Sequence, residues 1–556
     1  MAKKAIEMKP EVHTIESVSV LWSEGEIVGD GKKKDKKCIE DPRFPTSKIV
    51  GLVIALVSAI ICWSIPMDKE KPTIQYCAGC VLLIAFMWIF EVLPLAITSF
   101  FPLILFPLFG IQKGSEVASN YMKSTIFTFL GGFIMALAMQ RWNLHTRIAL
   151  RIVVMTKGKP GLLLFGMMAV TWFLSMWISN TATVMSMMPN VLAIANELES
   201  SLGKDRTHKF TLAMLIGVAF SASIGGIGTL IGTPPNLALD AFLKQTFQNV
   251  GETFSFSTWF FFAFPLALVL FVILFLLFLI LFVPSKRNPL HIDLSDLKKK
   301  YQDLGKISYE EIVVAICFVV LAILWMFRGD LKFGDNFKIP GWSNIFPESK
   351  FIDDGTVAMI VSCLLYMIPA KNPCPVKGSK TFIMDWATTK KIPWDIVFLF
   401  GGGYALSAAF DESGLSDYIG SAFSSLSNMS MPLLIFIVVF VISLLTEVTS
   451  NTATSNVFIP IFLALSKSLD KHPLILSIPV TISCSFAFSL PVATPCNLIV
   501  FSSKKITTKD MFGIGVIVHM ISVVVGTLLS IWYAPAIFGY SIDDPVPSNW
   551  IIPDSS

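Results

Sequence analysis

Apolar stretches long enough to cross a membrane follow one another along most of the chain. A run of about 20 apolar residues spans a bilayer as a helix, and such runs recur from residue 48 to residue 538. We predict spans over 48–66, 73–91, 92–110, 125–144, 161–196, 211–240, 258–283, 309–327, 353–369, 394–412, 431–466, 473–501 and 511–538. The pattern predicts an all-α polytopic membrane protein.

Two of these stretches, 161–196 and 431–466, are 36 residues long. Straight helices of that length would measure about 54 Å, whereas the hydrocarbon core is about 30 Å thick. Each stretch carries the pentad Ser-Asn-Thr-Ala-Thr near its centre, at 179–183 and, 271 residues later, at 450–454. Division at the pentad leaves arms of about 17 residues, barely enough to cross. A pair of crossing helices and a re-entrant hairpin both fit this pattern.

The polar pentads belong to a set of three landmarks that occurs twice in the same order. The glycine pair at 131–132 returns 270 residues later at 401–402, and Thr-Pro-Pro-Asn at 233–236 is answered 261 residues later by Thr-Pro-Cys-Asn at 494–497. Polar side chains at membrane depth are costly unless they line a cavity or are buried in protein. Glycine pairs also allow close helix packing, and a proline also kinks a helix. The duplication of the whole set favours a binding site built from an internal repeat.

Lysine and arginine residues set the predicted orientation. With the N-terminus inside and each 36-residue stretch returning to its own side, the inside segments carry 32 of the 43 Lys and Arg residues. This asymmetry follows the positive-inside rule, and a single crossing by either stretch would abolish it. We therefore expect 11 transmembrane helices plus two re-entrant hairpins, a cytoplasmic N-terminus and an extracellular C-terminus. The repeats then have opposite orientations, an arrangement typical of alternating-access carriers.

Composition narrows the class of protein further. Hydrophobic residues make up 54% of the chain, charged residues 15%, and the formal net charge is +4, so nucleic-acid binding has little support. Paired acids, a Ser/His/Asp set and metal-ligand clusters are missing at membrane depth, and the chain is not expected to be an enzyme. A channel would need a continuous polar stripe rather than polarity concentrated at mid-depth. The sequon Asn428-Met429-Ser430 falls on the predicted outer side.

The predicted organisation alternates scaffold and transport segments. It comprises a cytoplasmic N-terminal tail (1–47), scaffold helices with a first interfacial arm (48–160), a first hairpin and broken helix of the transport domain (161–283), a cytoplasmic loop (284–308), scaffold helices with a second interfacial arm (309–430), a second hairpin, broken helix and last span (431–538) and an extracellular tail (539–556).

Broken helices supply the binding chemistry expected at the landmarks. A helix that ends presents free C=O groups, which suit a small hard cation, and a helix that begins presents free N–H groups, which suit an anion. Asn and Thr side chains can cap the new helix and still donate to a carboxylate. Lys and Arg are absent near the landmarks, so binding of an anion should depend on co-bound cations. Glu447, three residues before the second pentad, either tunes cation affinity or forms local hydrogen bonds.

The paired Ser-Asn-Thr motifs, the segment 175–178 (Ser-Met-Trp-Ile) before the first of them, and the segment 490–495 (Leu-Pro-Val-Ala-Thr-Pro) resemble the divalent anion/sodium symporter (DASS, or INDY-like) family. The resemblance extends over nearly the whole chain from residue 48 and is closest to the di-/tricarboxylate branch. It implies sodium-coupled uptake of succinate, malate, α-ketoglutarate or citrate by an elevator movement in a homodimer, in the plasma membrane. A sodium-independent carboxylate exchanger and a sulfate-type anion symporter on the same fold stay open as alternatives.

The resemblance also implies roles for individual residues. One sodium site would use Ser175, Ser179, Asn180 and the Gly232 backbone, and the other would use Thr446, the Thr449 backbone, Asn451 and the Ala493 backbone. Carboxylate contacts would come from Asn180, Thr181, Asn451, Thr452, Thr494 and Pro495. The chain departs from the family at Cys496, where a second proline is common, and this puts the local geometry of that break in doubt.

Overall fold

The computed structural model describes residues 46–247, 249–250, 253–283, 292–333, 337–371, 382–422 and 429–550, and these are almost entirely helical. The predicted tail 1–47 and the sequon at Asn428 lie outside or at the edge of this part of the chain. The helices up to the middle of the chain are α1 (Thr46–Ser64), α2 (Thr73–Ile89), α3 (Leu95–Thr98), α4 (Phe101–Leu108), α5 (Gly114–Ser119), α6 (Ser124–Arg141), α7 (Leu144–Met155), α8 (Pro160–Ser175), α9 (Asn180–Leu202), α10 (Lys204–Ile227), α11 (Pro234–Thr246) and α12 (Phe256–Phe282).

The second part of the chain repeats this helical character. Its helices are α13 (Ser295–Asp303), α14 (Tyr309–Met326), α15 (Asp354–Met367), α16 (Trp386–Thr389), α17 (Trp394–Ser413), α18 (Leu415–Ala422), α19 (Met431–Thr446), α20 (Asn451–Ser468), α21 (Leu474–Ser483), α22 (Pro495–Phe501) and α23 (Thr508–Phe538). A short antiparallel ribbon of β1 (Leu331–Phe333) and β2 (Phe337–Ile339) between α14 and α15 is a small exception to the all-α prediction.

Several helices are long and apolar enough to cross a membrane, and the chain is a multi-pass membrane protein. In the described residues six helical stretches meet both criteria: Thr46–Ser64, Gly114–Arg141 (α5 and α6 taken together), Lys204–Ile227, Phe256–Phe282, Tyr309–Met326 and Thr508–Phe538. Six further apolar helices are shorter, including both first arms of the predicted hairpins. The number of 11 crossings stays a prediction.

The span expected over 92–110 is divided into two short helices, α3 and α4, which meet at Ser99 and Phe100. The physical reason is the proline content of this segment. Pro102 has no N–H to donate, and it occupies the first turn of α4, where that loss is harmless. The chain can therefore start a new helix here more easily than it can continue the old one.

Helix α10 lies at the centre of the described fold. All residues of its most apolar 18-residue window are buried, as expected for a helix that is apolar or small on every side. Helices α8, α9, α12 and α22 pack around it. Gly225 permits the close approach of α8, because a Cβ atom there would lie 2.1 Å from the carbonyl oxygen of Trp172.

The two repeats pack crosswise. Helix α11, which follows the first break, packs on α20 and α21 of the second half, while α22, which follows the second break, packs on α9 and α10 of the first half. Each broken helix therefore rests on the hairpin of the other repeat. This arrangement brings the two sets of landmarks into one interlocked body.

Helix α7, in the segment predicted as the first interfacial arm, and the last residue of α6 each take part in one ion pair. Arg147 Nε lies 2.7 Å from Glu311 Oε1, and Arg141 Nη2 lies 2.9 Å from Asp385 Oδ2. Burial alone would raise the pKa of the Asp385 carboxyl, but hydrogen bonds from Thr388 and Arg141 outweigh it and lower the pKa. These contacts tie the arm to α14 and to the segment that precedes α17.

The C-terminal segment closes over the loop between α20 and α21. The ring of His472 stacks on Tyr540, with centroids 4.5 Å apart, and lies 5.0 Å from the ring of Trp550. Its backbone N–H donates to the Asp544 carbonyl at 2.8 Å, and its Nδ1 accepts from the Leu474 N–H at 3.3 Å. Burial lowers the pKa of His472 to about 4, against a smaller opposing effect of Asp544.

Candidate cation and substrate site

The first polar pentad forms the turn between α8 and α9. Ser175 ends the first helix and Asn180 begins the second, so the break predicted at the pentad is present. Ser175 Oγ donates to Asn180 Oδ1 at 2.6 Å, and Ser179 caps α9 by accepting from the Ala182 N–H at 3.4 Å. Gly226 of α10 lies directly against this pair, because a Cβ atom there would be 2.4 Å from Asn180 Oδ1.

The second pentad repeats this arrangement between α19 and α20. Thr446 Oγ1 donates to Asn451 Oδ1 at 2.7 Å and also lies 3.0 Å from the Cys484 carbonyl oxygen. Both residues stand 271 positions after their counterparts Ser175 and Asn180. The two hairpin tips therefore share one hydroxyl–amide pair in the same geometry.

Such a pair is suited to a small cation. A hydroxyl oxygen and an amide oxygen keep lone pairs after one hydrogen bond between them, and hard cations prefer oxygen ligands of this kind. The hydroxyl can rotate so that both oxygens turn toward the same ion. Thr449, whose backbone is also predicted to take part in the second site, shares a side-chain hydrogen bond of 2.6 Å with Thr454 Oγ1.

The two broken helices supply further backbone groups beside the tips. Helix α10 ends at Ile227 and α11 begins at Pro234, while the second break is longer and runs from Ser483 to Pro495. The Gly232 N–H donates to the Thr229 carbonyl at 3.3 Å, and 261 residues later the Ala493 N–H donates to the Leu490 carbonyl at 3.2 Å.

The first break lies against the first hairpin tip. A Cβ atom at Gly232 would lie 2.4 Å from the Gly226 carbonyl oxygen and 3.0 Å from that of Met176. The Gly232 backbone therefore lies beside the first tip, and its contribution to a sodium site stays a prediction. At the second break, Thr494 caps α22 by accepting from the Asn497 N–H at 3.3 Å.

The predicted site residues differ in how far they are covered. Ser175, Gly232, Thr446, Thr449, Ala493 and Thr494 are buried; Asn180, Thr181, Asn451 and Thr452 are half-buried; Ser179 and Pro495 are exposed. The half-buried Asn and Thr side chains of both pentads and the exposed Ser179 are therefore not fully enclosed. Among the described residues, no side-chain hydrogen bond joins the first tip and break to the second tip and break.

A cleft of about 1440 Å³ lies elsewhere, at the ends of α11, α12 and α23. Lys244, Arg328 and Lys350 contribute to its lining, and none of the predicted site residues does. Lys244 is held 2.7 Å from Asp240 and Arg328 is held 2.6 Å from Asp354. Lys244 and Arg328 are therefore neutralised locally. The predicted hollow shared by the two pentads stays a prediction.

Glu447 is engaged in local hydrogen bonds, one of the two roles considered for it. Its carboxylate accepts from the backbone N–H groups of Phe488, Ser489 and Leu490 at 2.9–3.2 Å and from Ser489 Oγ at 2.9 Å. His519 of α23 lies 3.2 Å from the same carboxylate. The glutamate thus ties the second hairpin tip to the second break.

His519 was not assigned a role from the sequence. Its Nδ1 faces Glu447 and the Phe486 carbonyl, and its Nε2 lies 3.3 Å from Ser443 Oγ. A signal was available, because one buried histidine in an apolar span needs polar partners and Glu447 is the acidic residue next to a pentad.

Comparison with known proteins gives the same family over nearly the whole chain. The model of the sodium:sulfate symporter transmembrane region matches residues 46–540. The sodium-dependent dicarboxylate transporter SdcS of Staphylococcus saprophyticus is 37% identical over 513 residues, which cover 91% of this chain and 95% of that protein. SdcS of Staphylococcus aureus is 37% identical over 522 residues, which cover 93% of this chain and 96% of that protein.

One solved structure shares the fold at low sequence identity. MtrF of Neisseria gonorrhoeae, described as illuminating a class of antimetabolite efflux pumps, matches with a TM-score of 0.50 at 16% identity. The match covers 75% of this chain and 83% of that chain. This likeness concerns the architecture alone.

Proposed function

The chain belongs to the sodium:sulfate symporter family, and on that premise we propose that it carries di- or tricarboxylates, such as succinate, malate, α-ketoglutarate or citrate, together with sodium ions. The observation that carries this proposal is the repeated oxygen pair, Ser175 with Asn180 and Thr446 with Asn451, each in a turn between two helices. The name of the Staphylococcus relatives, sodium-dependent dicarboxylate transporter, supports the choice of ion and substrate.

Sodium ions are bound in this proposal at the two tips. The first ion takes the oxygens of Ser175, Ser179 and Asn180 with the Gly232 backbone, and the second takes Thr446, Asn451 and the backbones of Thr449 and Ala493. Neutral oxygens are suited to a weakly held ion that must be released on the other side of the membrane. Carboxylate anions would bind too strongly for that purpose unless they were themselves neutralised.

The carboxylate substrate lies between the two ions. Asn180, Thr181, Asn451, Thr452 and Thr494 donate to its oxygens, and Pro495 limits its position at the start of α22. The free N–H groups that begin α9, α11, α20 and α22 add the partial positive charge of helix N-termini. Because no lysine or arginine takes part, each bound sodium ion offsets part of the substrate charge, and the anion binds only after the cations.

Alternating access follows from the inverted repeats in this proposal. The two 36-residue stretches are re-entrant hairpins, the chain crosses the membrane 11 times, and the hairpins move with α10–α12 and α21–α23 as one transport domain in an elevator movement. The N-terminus is cytoplasmic and the C-terminus extracellular, in the plasma membrane, and two chains form a homodimer through their scaffold helices. The positive-inside count of 32 of 43 basic residues supports this orientation.

Uptake into proteoliposomes tests the proposal. Radiolabelled succinate should enter vesicles with an inward sodium gradient, and replacement of sodium by choline should remove the uptake. Malate and citrate are added as unlabelled competitors. Undiminished uptake in choline, with a requirement for carboxylate inside the vesicles, would instead indicate a sodium-independent exchanger.

A sulfate-type symporter is the second candidate, because the description of the matching family model names sulfate. The same vesicles separate it from a carboxylate carrier. If sulfate inhibits succinate uptake more strongly than malate does, the assignment of carboxylate as substrate is wrong. We expect malate to be the stronger competitor, since Ser-Asn-Thr is present in both tips.

A further inference from the structure

Asn236, the third residue of α11, is bonded to the unwound end of α10. Its Nδ2 donates to the carbonyl oxygens of Gly226, Ile227 and Thr229, at 3.1, 3.2 and 2.8 Å. An amide nitrogen has two hydrogens, so one of them is shared between two of the three acceptors. The side chain is completely buried.

Asn497, the third residue of α22, does the same at the second break. Its Nδ2 donates to the carbonyl oxygens of Ala487 at 3.3 Å and Leu490 at 3.0 Å. Donor and acceptors all stand 261 residues after Asn236, Gly226 and Thr229. The side chain of Asn497 is also completely buried, so the repeat preserves a bonding pattern and not merely a residue type.

The chemistry of an unwound helix explains why such a donor is needed. Where a helix stops inside the membrane, its last carbonyl groups lose their intrahelical partners, and water is not at hand to replace them. In both asparagines Oδ1 is enclosed and has no hydrogen-bond partner among the described residues. The amide therefore acts on these breaks only as a donor.

The bonded carbonyls lie next to the residues of the proposed cation sites. Gly226 lies against Asn180, and its carbonyl oxygen would be 2.4 Å from a Cβ atom at Gly232. In the second half, Leu490 accepts the Ala493 N–H and donates its own N–H to Glu447. A change in the path of either unwound segment would displace backbone groups that face a hairpin tip.

We propose that Asn236 and Asn497 are positioning residues for sodium: each holds the unwound carbonyls of one broken helix in the path that sodium binding requires. This inference deepens the proposed function and rests on it. Neither side chain is a sodium ligand in this scheme. Their effect on the ion passes through the backbone of residues 226–232 and 487–493.

Isosteric substitution tests the role of the donor. Asn236→Asp and Asn497→Asp keep the size of the side chain and its Oδ1 but remove the two N–H donors. The sodium concentration at half-saturation is measured in two ways: for succinate uptake, and for the sodium-induced rise in melting temperature of purified protein without substrate. We expect it to rise about tenfold or more in each variant, which corresponds to about 1.4 kcal/mol, while the succinate KM at saturating sodium is unchanged.

Two further variants separate positioning from a general structural role. Asn236→Gln keeps the N–H donors on a longer side chain and should restore sodium affinity partly relative to Asn236→Asp. Asn190→Ala removes a buried asparagine of α9 that does not bond to either break, and its sodium affinity should equal that of the wild type.

An unchanged sodium half-saturation in the folded Asp variants would overturn the inference, as would an equal rise in Asn190→Ala. If Asn236→Asp does not fold, the sodium titration of Asn497→Asp decides the test. If neither variant folds, the inference is also overturned, because a purely structural role then explains both asparagines. Absence of any sodium effect on the wild-type protein would refute the proposed function itself. A sodium-dependent wild type with unaffected variants refutes only this inference.

Discussion

The two halves of the molecule join hairpin tip to broken helix in different ways. In the first half the Met176 carbonyl accepts from the Thr229 hydroxyl, and Gly226 and Gly232 of the break lie close to Asn180 and Met176 of the tip. In the second half the residue 271 positions after Met176 is Glu447, whose carboxylate gathers three backbone N–H groups at 488–490. One repeat therefore uses a neutral contact where the other uses a charged one.

The first break has glycine at two positions where the second break has alanine. Gly226 and Gly232 of the first break correspond, 261 residues later, to Ala487 and Ala493 of the second. A Cβ atom at Gly226 would lie 2.4 Å from Asn180 Oδ1, and one at Gly232 would lie 2.4 Å from the Gly226 carbonyl oxygen, so the first half depends on close contact at its glycines. The second half has room for the methyl groups and relies on Glu447 to hold the parts together.

The loops that follow the second arm of each hairpin differ as well. Helix α9 passes into α10 through Gly203, which has a φ of 83° and open space where a Cβ atom would be. The corresponding loop of the second half is covered by the C-terminal segment through His472, Tyr540 and Trp550. The loop after the first hairpin is therefore uncovered, whereas the loop after the second hairpin is covered by the C-terminal segment.

Loss of the paired asparagines gives the largest expected effect on transport, and it tests whether the halves are equivalent in function. Asn180→Ala and Asn451→Ala each remove an amide that is proposed to bind both sodium and substrate, so each should reduce succinate uptake by about 100-fold or more, equal to at least about 2.7 kcal/mol. Uptake is normalised to protein in the membrane, with Asn190→Ala as the control. Wild-type uptake in both variants would remove the site assignment.

Substitution of Glu447 should sharpen the difference between the two tips. Glu447→Ala leaves three buried N–H groups without their acceptor and removes the carboxylate beside His519, and we expect a loss of about 3–5 kcal/mol in stability. Glu447→Gln should be milder, since it keeps one acceptor oxygen. The counterpart Met176→Leu conserves volume and leaves the carbonyl in place, so it should cost less than about 1.5 kcal/mol. Thermal unfolding in detergent measures all three, and equal losses at both tips would contradict the comparison.

Exchange of the small residues between the halves should have opposite consequences. Gly226→Ala places a methyl group against Asn180 Oδ1 and should weaken sodium-dependent uptake at least about tenfold, because overpacking costs about 1–3 kcal/mol. Ala487→Gly, at the equivalent position, removes one methyl group and should cost only about 1 kcal/mol. Sodium titration of uptake compares the two variants. If Gly226→Ala leaves sodium-dependent uptake unchanged, the first half is not constrained by close contact at Gly226.

The burial of His472 under the C-terminal segment predicts that the stability of the protein depends modestly on pH. Because the pKa of His472 is lowered to about 4 in the folded protein, the unfolded chain binds the proton first, and stability rises with pH between about 4 and 6.5. A change from pH 7.5 to pH 5 should cost about 2 kcal/mol through this residue. His472→Phe keeps an aromatic ring without a titrating nitrogen and should lose this component. Equal pH sensitivity of both melting temperatures would refute the assignment.

Much of the helical pattern follows from the sequence. The family predicted from the paired motifs is confirmed by comparison, and the helix breaks at both pentads are present because Ser and Asn at those positions favour the start of a new helix. The breaks before Pro234 and Pro495 follow from the missing N–H of proline. The sodium and substrate roles of individual residues stay predictions.

Contacts between distant segments were beyond the reach of sequence patterns. Glu447 meets residues 488–490 and His519, and only tertiary packing brings these segments together. The local sequence also did not indicate that α10, rather than a more hydrophobic span, is the most enclosed of the six long apolar helices in the described residues. The periodicity of the sequence shows which residues are apolar, but which helices pack against each other depends on close contacts at positions such as Gly225.

The crosswise packing of α22 on α9 and of α11 on α20 has a consequence for biosynthesis. The first pentad is inserted long before its neighbour exists, since Pro495 is added 315 residues after Asn180. At about 5–20 residues per second, a ribosome needs roughly 16 to 63 s to make that stretch. In the proposed topology the nascent amide and hydroxyl groups lie in the bilayer without their final neighbours during this interval, so water or the insertion machinery must shelter them until the second repeat arrives.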